Sequence, residues 1–458
     1  MTILHYFLGF PPYRSGGMTK FAYDLMEAQV KDGESVIALW PGRMNFILPP
    51  KVKIKKRKNI NKIENYEIIN AQPVSLDEGI KDVSEFIKEC DCNIYIRFLE
   101  EIKPDAIHIH TLIGIHKEFI DAANKLGIKT VFTTHDYFGI CPKVTLYKNS
   151  GVCENDNNCK DCINCNKSAL SIEKIKIMQS PFYRKFKDSR LLKLLRKKHR
   201  NKFFNKYKQD FNEDDYKDGK SKEYEKLRKY YVEILENIDI IHFNSNLTKE
   251  VYLRYIKPKS YQVITISHKN IEDNRKNKTI ASDKIRFTFL ASTKPYKGFY
   301  MLKKVMDELY NKKKYEFELN IFSDVTERSQ YMNVHKEGFK QEDLPKIFEN
   351  TDILIAPSMW YETFGFTVIE ALSYGVPVIV SDRVGAKDII KDGGIIIGSD
   401  YEENLKKTLE SMNTEKIQKM KKYIQKEIVP KKWSEFCEEI KKLWSIEENE
   451  ECNNNIKL

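Results

Sequence analysis

Two glutamates, Glu362 and Glu370, stand eight residues apart in the segment PSMWYETFGFTVIEALSYGVPVIVSD, Pro357 to Asp382. A Thr-Phe-Gly turn follows the first, and the second falls in a stretch with helical periodicity. At a strand-to-helix junction of this kind, unpaired backbone N–H groups and the positive helix end suit a phosphate. Glu370, a turn or two into the helix, is placed to accept hydrogen bonds from ribose hydroxyls, and Glu362 from a sugar. Two glutamates alone would read equally well as ordinary helix carboxylates.

Other residues extend the same chemistry. STKPYKG sets Lys297 before Gly298, with Lys294 nearby, and fixed cations stabilise the charge that develops on a departing diphosphate. In FPPYRSGG, Gly16 and Gly17 permit close backbone approach to a diphosphate or an acceptor, although a simple turn would also use them. PDAIHIHT places His108 and His110 two apart on one face of a strand, His110 nearer its carboxyl end. TTHDYFGICP brings His135 and Asp136 to the end of the next strand. Cys141, Cys153, Cys159, Cys162 and Cys165 crowd the loop that follows, and their two consecutive C-x2-C steps are compatible with a thiolate site for zinc or an iron–sulfur cluster. The metal candidates are Cys153, Cys159, Cys162 and Cys165, in a structural role, and free thiols are the alternative. These thiols are not expected to form a disulfide framework, because the short apolar N-terminus lacks a basic start and a cleavage site and predicts a cytosolic chain.

The elements that must position these groups alternate. TILHYFLGF, ESVIALW, PDAIHIHT and IKTVFTTHD read as strands separated by helical stretches, which implies a parallel doubly wound sheet with ligands at the carboxyl ends of its strands. A Cys-rich and basic insert, about 139–236, interrupts the pattern before IDIIHFNS and YQVITIS resume it. HKNIEDNRKNKTIASDK is polar and reads as a linker, and IRFTFLAS opens a second alternating series. The expected division is an acceptor-side domain over 1–268, a nucleotide-sugar-binding domain over 284–429, and a terminal helix and tail over 430–458.

The Pro357–Asp382 string resembles the E-x7-E signature of the family 4 retaining glycosyltransferases, the glycosyl transferases group 1. The resemblance implies the GT-B fold, two facing Rossmann-like doubly wound α/β domains. It assigns Glu362 to the donor sugar, the backbone amides of Thr363, Phe364 and Gly365 to the pyrophosphate, and Glu370 to the ribose. Lys297 then pairs with the phosphates, His135 lies beside the donor sugar, and Gly16, Gly17 and His110 complete the ligand-binding set. The family's Arg five residues before the Lys is Ser292 here, with Lys294 the nearest substitute. The implied reaction moves a sugar, with retention, from a UDP- or GDP-linked nucleotide-diphosphate sugar to a saccharide or lipid-linked saccharide acceptor, with no catalytic metal. A catalytically inactive partner subunit and a nucleotide-sugar epimerase are the other readings.

The 458 residues carry a net charge of +12, from 78 Lys and Arg against 66 Asp and Glu. Almost all of the excess sits in 184–208, where twelve basic residues face a single acid, Asp188. Leucines at helical spacing within it predict a basic amphipathic helix for an anionic membrane surface. No nucleic-acid motif accompanies the charge. The sequence therefore predicts a cytoplasmic enzyme, peripheral at the inner face of the membrane.

Overall fold

The computed structural model describes residues 1–445 except 12, 15, 46–50, 149–150, 155–157, 188, 190–193, 195–217, 277–283 and 314. Its contacts divide the chain into two units. One holds Met1–Asn244, Lys249–Ile264 and the residues from Cys437 onward, and the other Ser245–Thr248 and Thr265–Phe436. The terminal segment expected from 430 is thus shared, because helix Trp433–Ser445 begins in the second unit and ends in the first.

In the first unit an eight-stranded sheet is built from β1 (Thr2–Tyr6), β2 (Ser35–Pro41), β3 (Lys53–Ile60), β4 (Ile63–Ile69), β5 (Ala106–Ile109), β6 (Lys129–Thr133), β9 (Ile240–Phe243) and β10 (Tyr261–Val263). A small hairpin in the insert supplies β7 (Tyr147–Lys148) and β8 (Gly151–Val152). The large sheet runs β10-β9-β6-β5-β1-β2-β4-β3, parallel throughout except for the antiparallel β3–β4 pair. Buried apolar runs such as SVIALWP suit strands covered on both faces. Lys- and Arg-rich β3 sits at the sheet edge, where charge discourages pairing with another chain. Helix Gly17–Lys31 buries Phe21, Ala22, Leu25 and Met26.

The second unit is a six-stranded parallel sheet made from β11 (Ile285–Phe289), β12 (Phe317–Ile321), β13 (Met332–Val334), β14 (Ile353–Ala356), β15 (Val378–Ser381) and β16 (Gly394–Ile397), in the order β13-β12-β11-β14-β15-β16. Phe287, Phe289, Leu302, Ile321, Ile355 and Ile379 are buried at its centre.

The stretch read as a linker is structured at its start. Ser267, His268 and Ile271 are buried, Asn274 N–H donates to the Ser373 carbonyl at 2.9 Å, and the Arg275 guanidinium donates to the Ile424 carbonyl at 2.9 Å. Few large apolar residues are needed there because polar groups anchor the chain. No helix among the described residues is long and apolar enough to cross a membrane.

Candidate active site

The second unit builds its candidate site on the loops that follow β11 and β14. Gly298 has φ +80 and caps helix Phe299–Asn311, and a Cβ there would stand 1.9 Å from the Pro357 carbonyl oxygen. Glycine is therefore required, and the two loops lie against each other. The result is a pair: Lys297 Nζ lies 2.6 Å from Glu362 Oε1, while the Ser358 hydroxyl donates to Oε2 at 2.6 Å. Lys297 also stands 4.9 Å from the centre of the Trp360 ring. Burial alone would raise the Glu362 carboxyl, but the Lys297 ammonium and the Ser358 hydroxyl hold it below its ordinary value. Lys294, on the same loop, lies 5.5 Å from the Tyr296 ring, and Ser292 is exposed.

The turn after Glu362 is fixed from several sides. Glu362 N–H donates to the Arg383 carbonyl at 2.8 Å, and the Thr363 carbonyl accepts from Ser245 at 2.7 Å and Thr248 at 2.9 Å. Gly365, with φ +97, starts helix Phe366–Ser373, which has no side-chain cap and no acid in its first turn. The Val368 N–H donates back to the Gly365 carbonyl at 3.0 Å, and a helix start without a side-chain cap suits an anion. Glu370 is buried on this helix and accepts from Gln341 Nε2 at 2.8 Å. His268 Nδ1 accepts from the Asn270 N–H at 3.3 Å, so in the neutral ring Nε2 carries the hydrogen. That nitrogen lies 3.1 Å from Glu370 Oε1, out of hydrogen-bond alignment.

In the first unit, Gly16 takes φ +132 at the start of helix Gly17–Lys31. A Cβ on Gly16 or Gly17 would meet nothing within 4 Å. The backbone angle explains Gly16, whereas no protein contact demands Gly17, and open space lies over the helix start. His5 and His108 are register partners on β1 and β5, and His110 follows on the same face. His110 Nε2 lies 3.0 Å from His5 Nδ1, and its Nδ1 lies 3.4 Å from His135 Nε2. Completely buried and with both nitrogens engaged, His110 stands behind His135 rather than on an open surface. His135, half-buried, packs edge-on against Phe21 at 4.8 Å.

The histidine row is held neutral. Burial, reinforced by His242, pushes His135 down to about 3, and burial lowers His5 and His116 to about 4 and His108 and His110 well below the ordinary value. A histidine depressed in the folded state stabilises the fold above its unfolded pKa of about 6.5 and loses that contribution as pH falls, at about 1.4 kcal/mol per pH unit. Asp136, raised by burial to about 6, acts in the opposite sense but is a single group. The melting temperature is therefore expected to fall steeply between about pH 7 and about pH 5, with net proton uptake on unfolding. A melting temperature flat across that interval would show that the row does not titrate in this way.

Residues 270–429 match the family model described as Glycosyl transferases group 1. The second unit is a group 1 glycosyltransferase domain. An uncharacterized 41.2 kDa protein in the cps region of Klebsiella pneumoniae is 31% identical over 143 residues, which are 30% of this chain and 38% of that protein. The chain thus aligns with well under half of that relative's length. Among solved structures, the sucrose-phosphate synthase of Thermosynechococcus elongatus superposes with a TM-score of 0.55 at 13% identity, covering 97% of this chain and 98% of the other. HepE of Anabaena, solved in complex with UDP and glucose, gives 0.53 at 12%, with 97% and 99% covered. At such identities the likeness speaks for the fold, and the fold is GT-B.

Within the group 1 domain the structure brings Lys297 and Glu362 together and seats Thr363, Phe364, Gly365 and Glu370 on one turn and helix. Sequence reasoning missed His268 and Gln341, the neighbours of the Glu370 carboxylate. Neither carries a spacing relation to Glu370, and His268 lay in the presumed linker. Among the described residues, His5, His108 and His110 bring their ring nitrogens within 4.8 Å of one another, close enough that they could hold a metal ion. Cys141, Cys153, Cys159, Cys162 and Cys165 are free thiols in the structure. Cys141, Cys153, Cys162 and Cys165 line one small cavity with Lys143 and Arg228. Cys159, with left-handed backbone ahead of the short helix Lys160–Cys165, interacts with Cys162. Of the basic stretch 184–208, only Arg184, Lys185, Phe186, Lys187, Ser189 and Leu194 lie within the described residues.

Proposed function

We propose that the protein is a retaining glycosyltransferase that takes a sugar from a UDP- or GDP-linked donor and passes it to the hydroxyl of a lipid-linked saccharide in surface polysaccharide synthesis. The observation that carries the reading is the Lys297–Glu362 pair beside the uncapped start of a helix bearing Glu370. A donor diphosphate placed on the first amides of that helix meets the helix dipole and the Lys297 ammonium, and both stabilise the charge left on the departing phosphate. Glu362, released from Lys297 by the diphosphate, accepts from sugar hydroxyls, and Glu370 accepts from the ribose. In the first unit His135, neutral at physiological pH, offers an imidazole to a ligand hydroxyl.

The cps-region relative supports a place in polysaccharide synthesis. The basic stretch supports a membrane-borne acceptor. Ser292 in place of an arginine favours one other reading, an inactive partner subunit. NMR of the reaction with a panel of nucleotide sugars and a polyprenyl-diphosphate saccharide tests the proposal. The expected product keeps the donor's anomeric configuration. An inverted product would contradict the mechanism, and an altered nucleotide sugar without acceptor would mark an epimerase.

A further inference from the structure

The guanidinium groups of Arg14 and Arg184 lie 4.8 Å and 4.0 Å from the same Tyr13 ring, and Arg43 joins the cluster through its backbone N–H on Glu67. Arg14 lies in the loop between β1 and helix Gly17–Lys31, Arg43 follows β2, and Arg184 arrives on helix Pro181–Phe186 from the insert. That helix is anchored at its start. The Ser180 hydroxyl caps it by accepting from the Tyr183 N–H at 3.2 Å. The neighbouring Gln179 donates to the Gly42 carbonyl at 3.0 Å and accepts from the Val74 N–H at 2.8 Å.

The one acid at the centre, Glu67, is fully buried and already saturated. Its Oε1 accepts from Arg184 Nη1 at 2.8 Å and from the Arg43 backbone N–H at 2.8 Å, and its Oε2 accepts from Arg57 Nε at 2.7 Å and from Arg57 Nη2. Arg184 is held flat, 4.0 Å from the Tyr13 ring and 5.1 Å from the Trp40 ring. With Nη1 used on Glu67, its Nε and Nη2 form the side-on fork of the guanidinium. Both are buried and have no hydrogen-bond partner among the described residues, and the same is true of Arg14 Nε and Arg43 Nε. Buried donors almost always have an acceptor, and an empty arginine fork matches two oxygens of a phosphate in geometry and charge.

We propose that Arg184, with Arg14 and Arg43, forms an oxyanion subsite of the first domain that holds a phosphate group of the acceptor. Glu67 orients the fork, and the two aromatic rings keep water from it. The proposal rests on the reading of the first domain as the acceptor side. The phosphate ester could come from a soluble sugar phosphate or from a lipid-linked saccharide, and both present the same oxygens to the fork.

The test is calorimetric titration of inorganic pyrophosphate into the full chain carrying Lys297→Ala, which removes the donor-side cation. Saturable binding is expected there, weakened about tenfold or more by adding Arg184→Gln and not rescued by Arg184→Lys, which keeps the charge but loses the fork. Arg14→Gln, whose side chain does not touch Glu67, is expected to weaken it as well. This second variant guards against misfolding through Glu67. Nucleoside diphosphate binding by Arg184→Gln in the otherwise native chain reports separately on the donor domain. If that binding persists while pyrophosphate binds Arg184→Gln and Arg14→Gln as tightly as the parent, the subsite falls and the donor reading stands. Competition by a hexose 1-phosphate identifies a soluble acceptor. Competition only by vesicles carrying a polyprenyl phosphate identifies a lipid-linked one.

Discussion

Replacing Lys297 with alanine is expected to lower kcat/KM for sugar transfer by about a hundredfold to a thousandfold, the range found when one preorganised charge-stabilising donor is removed. The ammonium faces the half-buried Glu362 carboxylate at 2.6 Å in the structure. A donor diphosphate brings more negative charge to the same ammonium, and the demand grows as the glycosidic bond breaks. The loss should therefore appear mainly in kcat. Lys297→Ala also leaves Glu362 with burial acting on it and its main counter-charge gone, so the Glu362 pKa rises. The variant's activity is then expected to climb with pH over a range where the wild type is flat. Lys297→Arg keeps the charge and is expected to retain much of the rate. Steady-state kinetics across pH for the three proteins measure this directly. An unchanged kcat in Lys297→Ala would remove Lys297 from the transition state.

The second large effect is expected at Glu370. Its carboxylate is buried, supported by Gln341 at 2.8 Å, and has His268 at 3.1 Å. Hydrogen bonds to a charged acceptor are worth about 1.5–3 kcal/mol each. Glu370→Ala is therefore expected to weaken nucleoside diphosphate binding by about tenfold to a hundredfold. Gln341→Ala leaves the acid in place but loosens it, and a smaller loss of a few-fold is expected. Because the ribose does not react, the effect of Glu370→Ala should fall mainly on KM for the donor, with kcat much less affected. Equal losses for a nucleoside diphosphate and for pyrophosphate alone would place Glu370 on the phosphates instead of the sugar ring.

What could be read in the sequence follows from how locally each feature is encoded. The proposed donor half is carried by one turn and the helix after it, so Glu362, Glu370 and the glycine between them form a local pattern that spacing alone displays. The alternation of apolar strands and amphipathic helices likewise gave both parallel sheets. Glu370's neighbours His268 and Gln341 are brought to it by long-range packing, which leaves no periodic trace. The β3–β4 hairpin escaped notice because β3, KIKKRKNI, is an edge strand whose lysines hide any alternation. His110 was placed near the carboxyl end of its strand correctly. Its burial behind His135 depends on His5 across the sheet, which strand register alone determines.

The central claim is that the second unit binds a nucleotide sugar through Lys297, the start of helix Phe366–Ser373 and Glu370. Calorimetric titration of UDP and GDP into the wild-type chain and into Glu370→Ala tests it most directly, since it needs neither sugar nor acceptor. Saturable binding of one of the two nucleotides, weakened about tenfold or more in a folded Glu370→Ala, is the expected result. Absence of binding by either nucleotide to the folded wild type, or equal affinity in the variant, would contradict it.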